Sequence, residues 1–66
     1  MSSSAEAELS VIADHLERYR ERVVGLVPSL RGAGEHDDAI AAIYEAERSL
    51  RSAHRALERA NRLLGP

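Results

Sequence analysis

Apolar residues recur at alternating spacings of three and four along both halves of the chain, and this pattern constrains the fold most. Such spacing predicts amphipathic helices that each press a narrow stripe against another helix. In heptad notation, the first half places Leu9, Leu16, Val23 and Leu30 at a, and Ala5, Ile12, Tyr19 and Leu26 at d. The second half places Ile43, Leu50, Leu57 and Leu64 at a, and Ala39, Ala46, Ala53 and Ala60 at d. No segment alternates with period two, so we predict an all-α fold.

The first predicted helix covers about residues 4–31. Ser3, followed three residues later by Glu6, forms a capping box at its start. Pro28 interrupts this helix, because proline lacks a backbone N–H and its ring clashes with the carbonyl four residues earlier. We therefore expect a kink or break near Pro28, with the helix running on beyond it.

The second predicted helix covers about residues 37–64, after a loop at about residues 32–36. Two glycines in the loop end the first helix, and acidic residues open the second, where the helix dipole favours negative charge. Gly65 and Pro66 form a stop signal at the other end. The whole chain is then one domain of two helices.

The two stripes fit each other as an antiparallel pair. Facing positions in an antiparallel hairpin have residue numbers with a constant sum, and pairing each a residue with a d residue gives 69 throughout, from Leu9 with Ala60 to Leu30 with Ala39. The midpoint of this register lies inside the predicted loop. We therefore predict a two-helix hairpin with a coiled-coil-like Ala/Leu seam, flanked by Arg20 and Glu47 at e positions.

The shortness of the chain argues for a partner. A chain of 66 residues buries only about 60% of the surface that its unfolded form exposes, and this one has no cysteine for a disulfide or a thiolate metal site. Four apolar residues outside the predicted seam share one side of it near the loop: Val24, Val27, Ile40 and Tyr44. The opposite side carries the small residues Ala42, Ser49 and Ala56, which could pack a further helix. We expect an interaction module that forms a homodimeric four-helix bundle or docks on a helical partner.

Catalytic and metal-binding chemistry is not expected. The chain has no nucleophile beside a base and no glycine-rich phosphate loop after a strand. Its histidines, His15, His36 and His54, fall at positions that do not converge, and zinc sites need three or four convergent ligands. We therefore expect neither an enzyme nor a bound metal or cofactor.

An alternative function rests on a ridge of arginines along the second predicted helix. The ridge consists of Arg48, Arg51, Arg55, Arg59 and Arg62. It could serve a small nucleic-acid-associated regulator, although the net charge is −2 and no aromatic residues interleave with the arginines. We favour a solvated, dipole-matched helix face, so nucleic acid is not an expected partner.

The start of the chain has neither a cationic segment nor an apolar run, and the longest apolar run is far below the roughly 20 residues that span a bilayer. We therefore expect a cytoplasmic protein with no membrane contact. Nine basic residues that are all arginine, with abundant alanine, are typical of a GC-rich bacterial genome.

The predicted architecture resembles the small Trp-x-Gly substrates of type VII secretion, which are helical hairpins that pair into four-helix bundles. Leu30, Arg31 and Gly32 occupy the equivalent turn, but the tryptophan and the C-terminal Tyr-x-x-x-Asp/Glu signal are absent. The resemblance implies a further alternative, a secretion-linked or inhibitory protein that forms a heterodimer with a toxin or substrate.

Overall fold

Three helices make up the part of the chain that the structure describes, residues 4–65 of a computed structural model. They are α1 (Ser4–Val24), α2 (Val27–Ala33) and α3 (Asp37–Leu64). The predicted all-helical fold is confirmed, and there is no strand within residues 4–65. Ser3 of the predicted capping box and Pro66 of the predicted stop signal lie outside the described residues.

The predicted first helix is divided at residues 25–26 into α1 and α2. Pro28 lies in the first turn of α2, where its missing N–H leaves no helical hydrogen bond unmade. At the break, the Leu26 N–H donates to the Val23 carbonyl at 3.2 Å, one residue short of the α-helical partner. The Leu30 N–H then donates to the Leu26 carbonyl at 3.2 Å. The chain thus bends at residues 25–26 and then resumes as the helix α2.

The reversal between α2 and α3 depends on Gly34. Its φ of 127° is the only positive φ among the described residues, and side chains other than hydrogen rarely tolerate that conformation. His36 precedes α3 without a side-chain cap, and the acidic residues Asp37 and Asp38 lie in the first turn of α3, as predicted. The first helical hydrogen bond runs from the Ile40 N–H to the His36 carbonyl at 2.8 Å.

α1 and α3 lie side by side and run in opposite directions. Ser10, early in α1, accepts a hydrogen bond of 3.0 Å from Asn61, late in α3. Further along, Arg20 donates to Glu47 at 3.2 Å. The resulting layer extends 52 × 14 × 10 Å, and its radius of gyration is 15.5 Å. A compact domain of this length would have a radius of about 11 Å, so the chain is a flat rod rather than a globule.

The contact between α1 and α3 uses a different pair of heptad positions from the predicted seam. The four buried residues, Ala13, Val27, Ile40 and Glu47, all occupy e positions. The a residues of both helices between Leu9 and Leu57 are half-buried. The d residues are exposed except for Ala60, which is half-buried. The prediction of an a/d seam is therefore wrong, and each helix is rotated toward e. Two features stabilise this rotation, the bulk of Val27 and Ile40 at e and the ion pair of Glu47 with Arg20 across the contact.

Candidate interaction surface

The predicted interface patch lies inside the layer. Val27 is 3% exposed and Ile40 is 8% exposed, because both lie between the helices near the turn. Val24 and Tyr44 are half-buried beside them. The expectation that these residues lie outside the contact between the helices is therefore wrong for Val27 and Ile40, whereas Val24 and Tyr44 are only partly covered. Together the four residues close the turn end of the layer.

The residues left uncovered are those predicted for the seam. We define the open face as two rows with a spacing of seven, a large row on α1 and the adjoining turn and a small row on α3. The large row consists of Ile12, Tyr19 and Leu26, and the small row of Ala39, Ala46 and Ala53. All six are exposed, and the large row is exposed by 38%, 51% and 54% in that order.

Both rows of the open face lie on the same side of the layer. On each helix the buried contact is centred between a and e, so the d position lies to one flank. Because α1 and α3 run in opposite directions, the d flanks of the two helices turn to the same side. The half-buried leucines at a lie along the middle of this side. Among residues 4–65, no side chain is completely buried.

Tyr19 is the centre of the open face, and neighbouring side chains on α1 flank its ring. The Arg22 guanidinium lies 5.7 Å from the ring centroid, a cation–π contact. The His15 ring lies 6.4 Å away at an interplanar angle of 58°. With Arg18, these side chains line a shallow cleft of about 210 Å³. Tyr19 is therefore partly ordered by its own helix while its ring is half exposed.

The other side of the layer carries a cluster of charges that we call the charged face. It consists of Glu17 and Arg20 on α1 and Glu47 and Arg51 on α3. Arg20 donates to Glu17 at 2.5 Å and to Glu47 at 3.2 Å, so one guanidinium joins the two helices. Arg51 donates through Nε to Glu47 at 3.0 Å. The predicted flanking positions of Arg20 and Glu47 are thus a direct contact.

These contacts shift the pKa values of the cluster. The hydrogen bond from Arg51 lowers the pKa of the Glu47 carboxyl, and Arg20 acts in the same direction. The hydrogen bond from Arg20 lowers the pKa of Glu17, and Glu17 raises the pKa of Arg20. Both carboxylates are therefore held ionised. The Nε atom of Arg20 is buried with no hydrogen-bond partner within residues 4–65, so the cluster is incompletely satisfied.

The arginine ridge is exposed along α3. The members are Arg48, Arg51, Arg55, Arg59 and Arg62. Arg51 is bound to Glu47, and the carboxylate of Glu58 contacts His54 at 3.4 Å. The tyrosines lie elsewhere, Tyr19 on the open face and Tyr44 beside the buried turn end. The ridge therefore lacks the aromatic platforms on which nucleic-acid bases stack.

An open groove of about 460 Å³ follows α1 and α3 away from the turn. It is lined by the polar side chains of Ser10, Asp14, His54, Glu58 and Asn61, among others. Across residues 4–65, no three histidine or carboxylate side chains converge in a metal-binding arrangement. The structure places His15 on α1, His36 before α3 and His54 within α3.

The chain matches no protein-family model, no curated protein and no solved structure. None of the helices within residues 4–65 combines the length and the apolar character needed to cross a membrane.

The sequence pattern indicates the open side of the layer only in part. Ala42, Ser49 and Ala56 form the predicted small-residue surface, and they border the small row. The large row does not stand out in the sequence, because Ile12, Tyr19 and Leu26 fall at d positions of the predicted seam. The pairing of Arg20 with Glu47 at facing e positions does not distinguish the two contacts, because such an ion pair can flank an a/d seam as well as a contact centred between a and e.

Proposed function

We propose that the chain is a non-enzymatic interaction module whose open face associates with a second copy, so that two antiparallel hairpins form a four-helix bundle. The exposed large row at spacing seven carries this proposal. In the single chain, Ile12, Tyr19 and Leu26 face water beside leucines that are only half-buried. A second helical layer on this side would cover both sets at once.

The accessible surface supports the proposal quantitatively. A folded monomer of 7.2 kDa is expected to expose about 4100 Å², whereas this chain exposes 5008 Å². The excess of about 900 Å² is close to the roughly 800 Å² that each partner loses in a standard-size interface. One partner of equal size would therefore bring the exposed surface per chain to the ordinary range.

The distribution of charge favours the open face over the charged face as the contact. The cluster of Glu17, Arg20, Glu47 and Arg51 satisfies its carboxylates within the chain, and desolvating it would be costly. The small row and its neighbours Ala42, Ser49 and Ala56 carry no charge to desolvate. The arginines at 48, 55 and 62 lie on the outer side of α3, where a bundle would leave them in water.

Two substitutions of alanine by glutamate on α3 test the proposal. Both Ala53 and Ala41 are exposed, but Ala53 belongs to the open face and Ala41 lies on the outer side of the helix. Sedimentation equilibrium of the wild type, from low micromolar to millimolar concentrations, should show a dimer. Ala53→Glu should weaken it by roughly a hundredfold or more, because a buried unpaired carboxylate costs several kcal/mol. Ala41→Glu should leave the dimer unchanged.

The wild type should also lose its association in parallel with helix content when it is diluted, if the bundle stabilises each hairpin. A wild type that sediments as a folded monomer at every concentration would rule out self-association. Equal weakening by both substitutions would rule out the open face as the contact.

A further inference from the structure

The geometry points to one arrangement of the two copies: a two-fold axis parallel to the helices, with α1 of each copy lying on α3 of the other. This inference rests on the proposed self-association and specifies what covers each row. The large row of one copy would fill gaps along the small row of its partner. Each copy would supply both its large row and its small row to the contact, as a closed isologous dimer requires.

The heights of the residues along the layer are fixed by the contacts across it. Ser10 lies level with Asn61, and Arg20 lies level with Glu47, so the numbers of level residues add to about 69. An axis parallel to the helices keeps every residue at its own height. In the dimer, Tyr19 of one copy therefore lies level with residue 50 of its partner, midway between Ala46 and Ala53.

The other two members of the large row meet the same condition. Ile12 falls level with residue 57, between Ala53 and Ala60, and Leu26 falls level with residue 43, between Ala39 and Ala46. The residues that flank these gaps on the outer side are also small: Ala42, Ser49 and Ala56. All three large side chains thus meet gaps walled by alanine or serine, which is knobs-into-holes packing.

The alternative two-fold axis, perpendicular to the helices within the contact, fits less well. It would place α1 on α1 and α3 on α3. With the axis midway between Ile12 and Tyr19, Ile12 of one copy would lie level with Tyr19 of the other, large against large, while alanines faced alanines. The large side chains would hold the two copies of α1 apart, while the two copies of α3 could approach closely. With the parallel axis, both contacts between copies pair α1 with α3 and have the same interhelical distance.

Charges at the outer edges of the open face complement each other in the proposed arrangement. Glu8 and Arg22 border the large row, and Glu45 and Arg59 lie at the outer edge of α3; all four are exposed. At the level fixed above, Glu8 lies within about one helical turn of the partner's Arg59. Arg22 lies equally close to the partner's Glu45. Each dimer would thus carry four attractive pairs at its rims.

Disulfide trapping tests the arrangement directly, because the chain has no native cysteine. The test variant is the full chain with both Arg22→Cys and Glu45→Cys. Within one copy, these positions lie on the outer edges of different helices, beyond the roughly 7 Å within which a disulfide forms. The controls are the two single substitutions and His15→Cys, which would lie near its own counterpart only if α1 packed on α1. Circular dichroism before oxidation establishes that each variant is helical.

The double variant should convert to a covalent dimer under mild oxidation, while each single-cysteine variant should remain monomeric on a non-reducing gel. Covalent dimers of His15→Cys, with none from the double variant, would overturn the proposed axis while leaving self-association intact. No covalent dimer from the double variant, when the wild type sediments as a dimer, would also overturn it. A wild type that sediments as a monomer would instead remove the proposed function on which the arrangement rests.

Discussion

The open face and the charged face lie on opposite sides of one layer, yet they differ in where their side chains find partners. On the charged face, Arg20 reaches Glu17 and Glu47 within the same chain, at 2.5 and 3.2 Å. On the open face, Tyr19 and Leu26 are each more than half exposed. Contacts within the chain thus hold α1 and α3 together, while apolar groups on the other side remain exposed. Internal pairing and the proposed association should therefore respond to different substitutions.

The largest expected effect separates the enclosed contact from the exposed surface. Val27→Ala removes two carbons from a side chain that is 3% exposed and should lower the free energy of unfolding by roughly 2–3 kcal/mol. Val11→Ala makes the same chemical change at a side chain that is 49% exposed, and should change it by no more than about 0.5 kcal/mol. Urea unfolding followed by circular dichroism measures both.

The effect of Val27→Ala should be the same at every protein concentration, because Val27 is enclosed within one chain. A substitution on the open face, such as Tyr19→Ala, should instead lower stability mainly at concentrations where the wild type associates. Equal costs for Val27→Ala and Val11→Ala would mean that the turn end of the layer is not enclosed as the structure shows.

The helices and their approximate extents followed from apolar spacing, glycines and proline, because these signals are local. The choice between d and e as the second contact row was not local. Spacing alone assigned Leu26 to the seam, while the structure encloses its neighbour Val27 instead. What distinguishes the two contacts is packing between distant residues, the enclosure of Val27 and Ile40 together with the ion pair of Arg20 with Glu47, and periodicity does not reveal either. The same error misplaces the predicted interaction surface, because burying the e residues in the contact between the helices leaves the d residues exposed.

A smaller effect on stability is expected at the turn between α2 and α3. Gly34→Ala should lower the free energy of unfolding by about 1–2 kcal/mol, because φ at Gly34 is 127°. The cost is backbone strain alone, since no neighbouring atom lies within 4 Å of the added Cβ. Gly32→Ala also meets open space, but Gly32 lies in α2, so this change should stabilise by about 0.5–1 kcal/mol. Thermal unfolding should show opposite signs. A shift of the same sign in both variants would contradict the conformation of the turn.

The smallest expected effect concerns pH and the charged face alone. The pKa values of Glu47 and Glu17 are lowered below their ordinary value of 4.5 by the arginines that contact them. A carboxyl with a lowered folded-state pKa contributes stability that is fully present above its unfolded value and is lost as the pH falls through its folded value. The melting temperature of the wild type should therefore fall as the pH drops below about 4.5.

Glu47→Gln removes the titrating group that joins Arg20 to Arg51, so its melting temperature should be lower near neutral pH and should change less on acidification. Glu21→Gln, at an exposed position on α1, should retain the acid dependence of the wild type. Dimerisation through the open face should follow this titration only weakly, because neither row contains a carboxylate and the rim carboxylates of Glu8 and Glu45 are exposed. Complete acid dissociation of a dimer whose hairpins remain folded would therefore place carboxylates within the contact and not only at its rims.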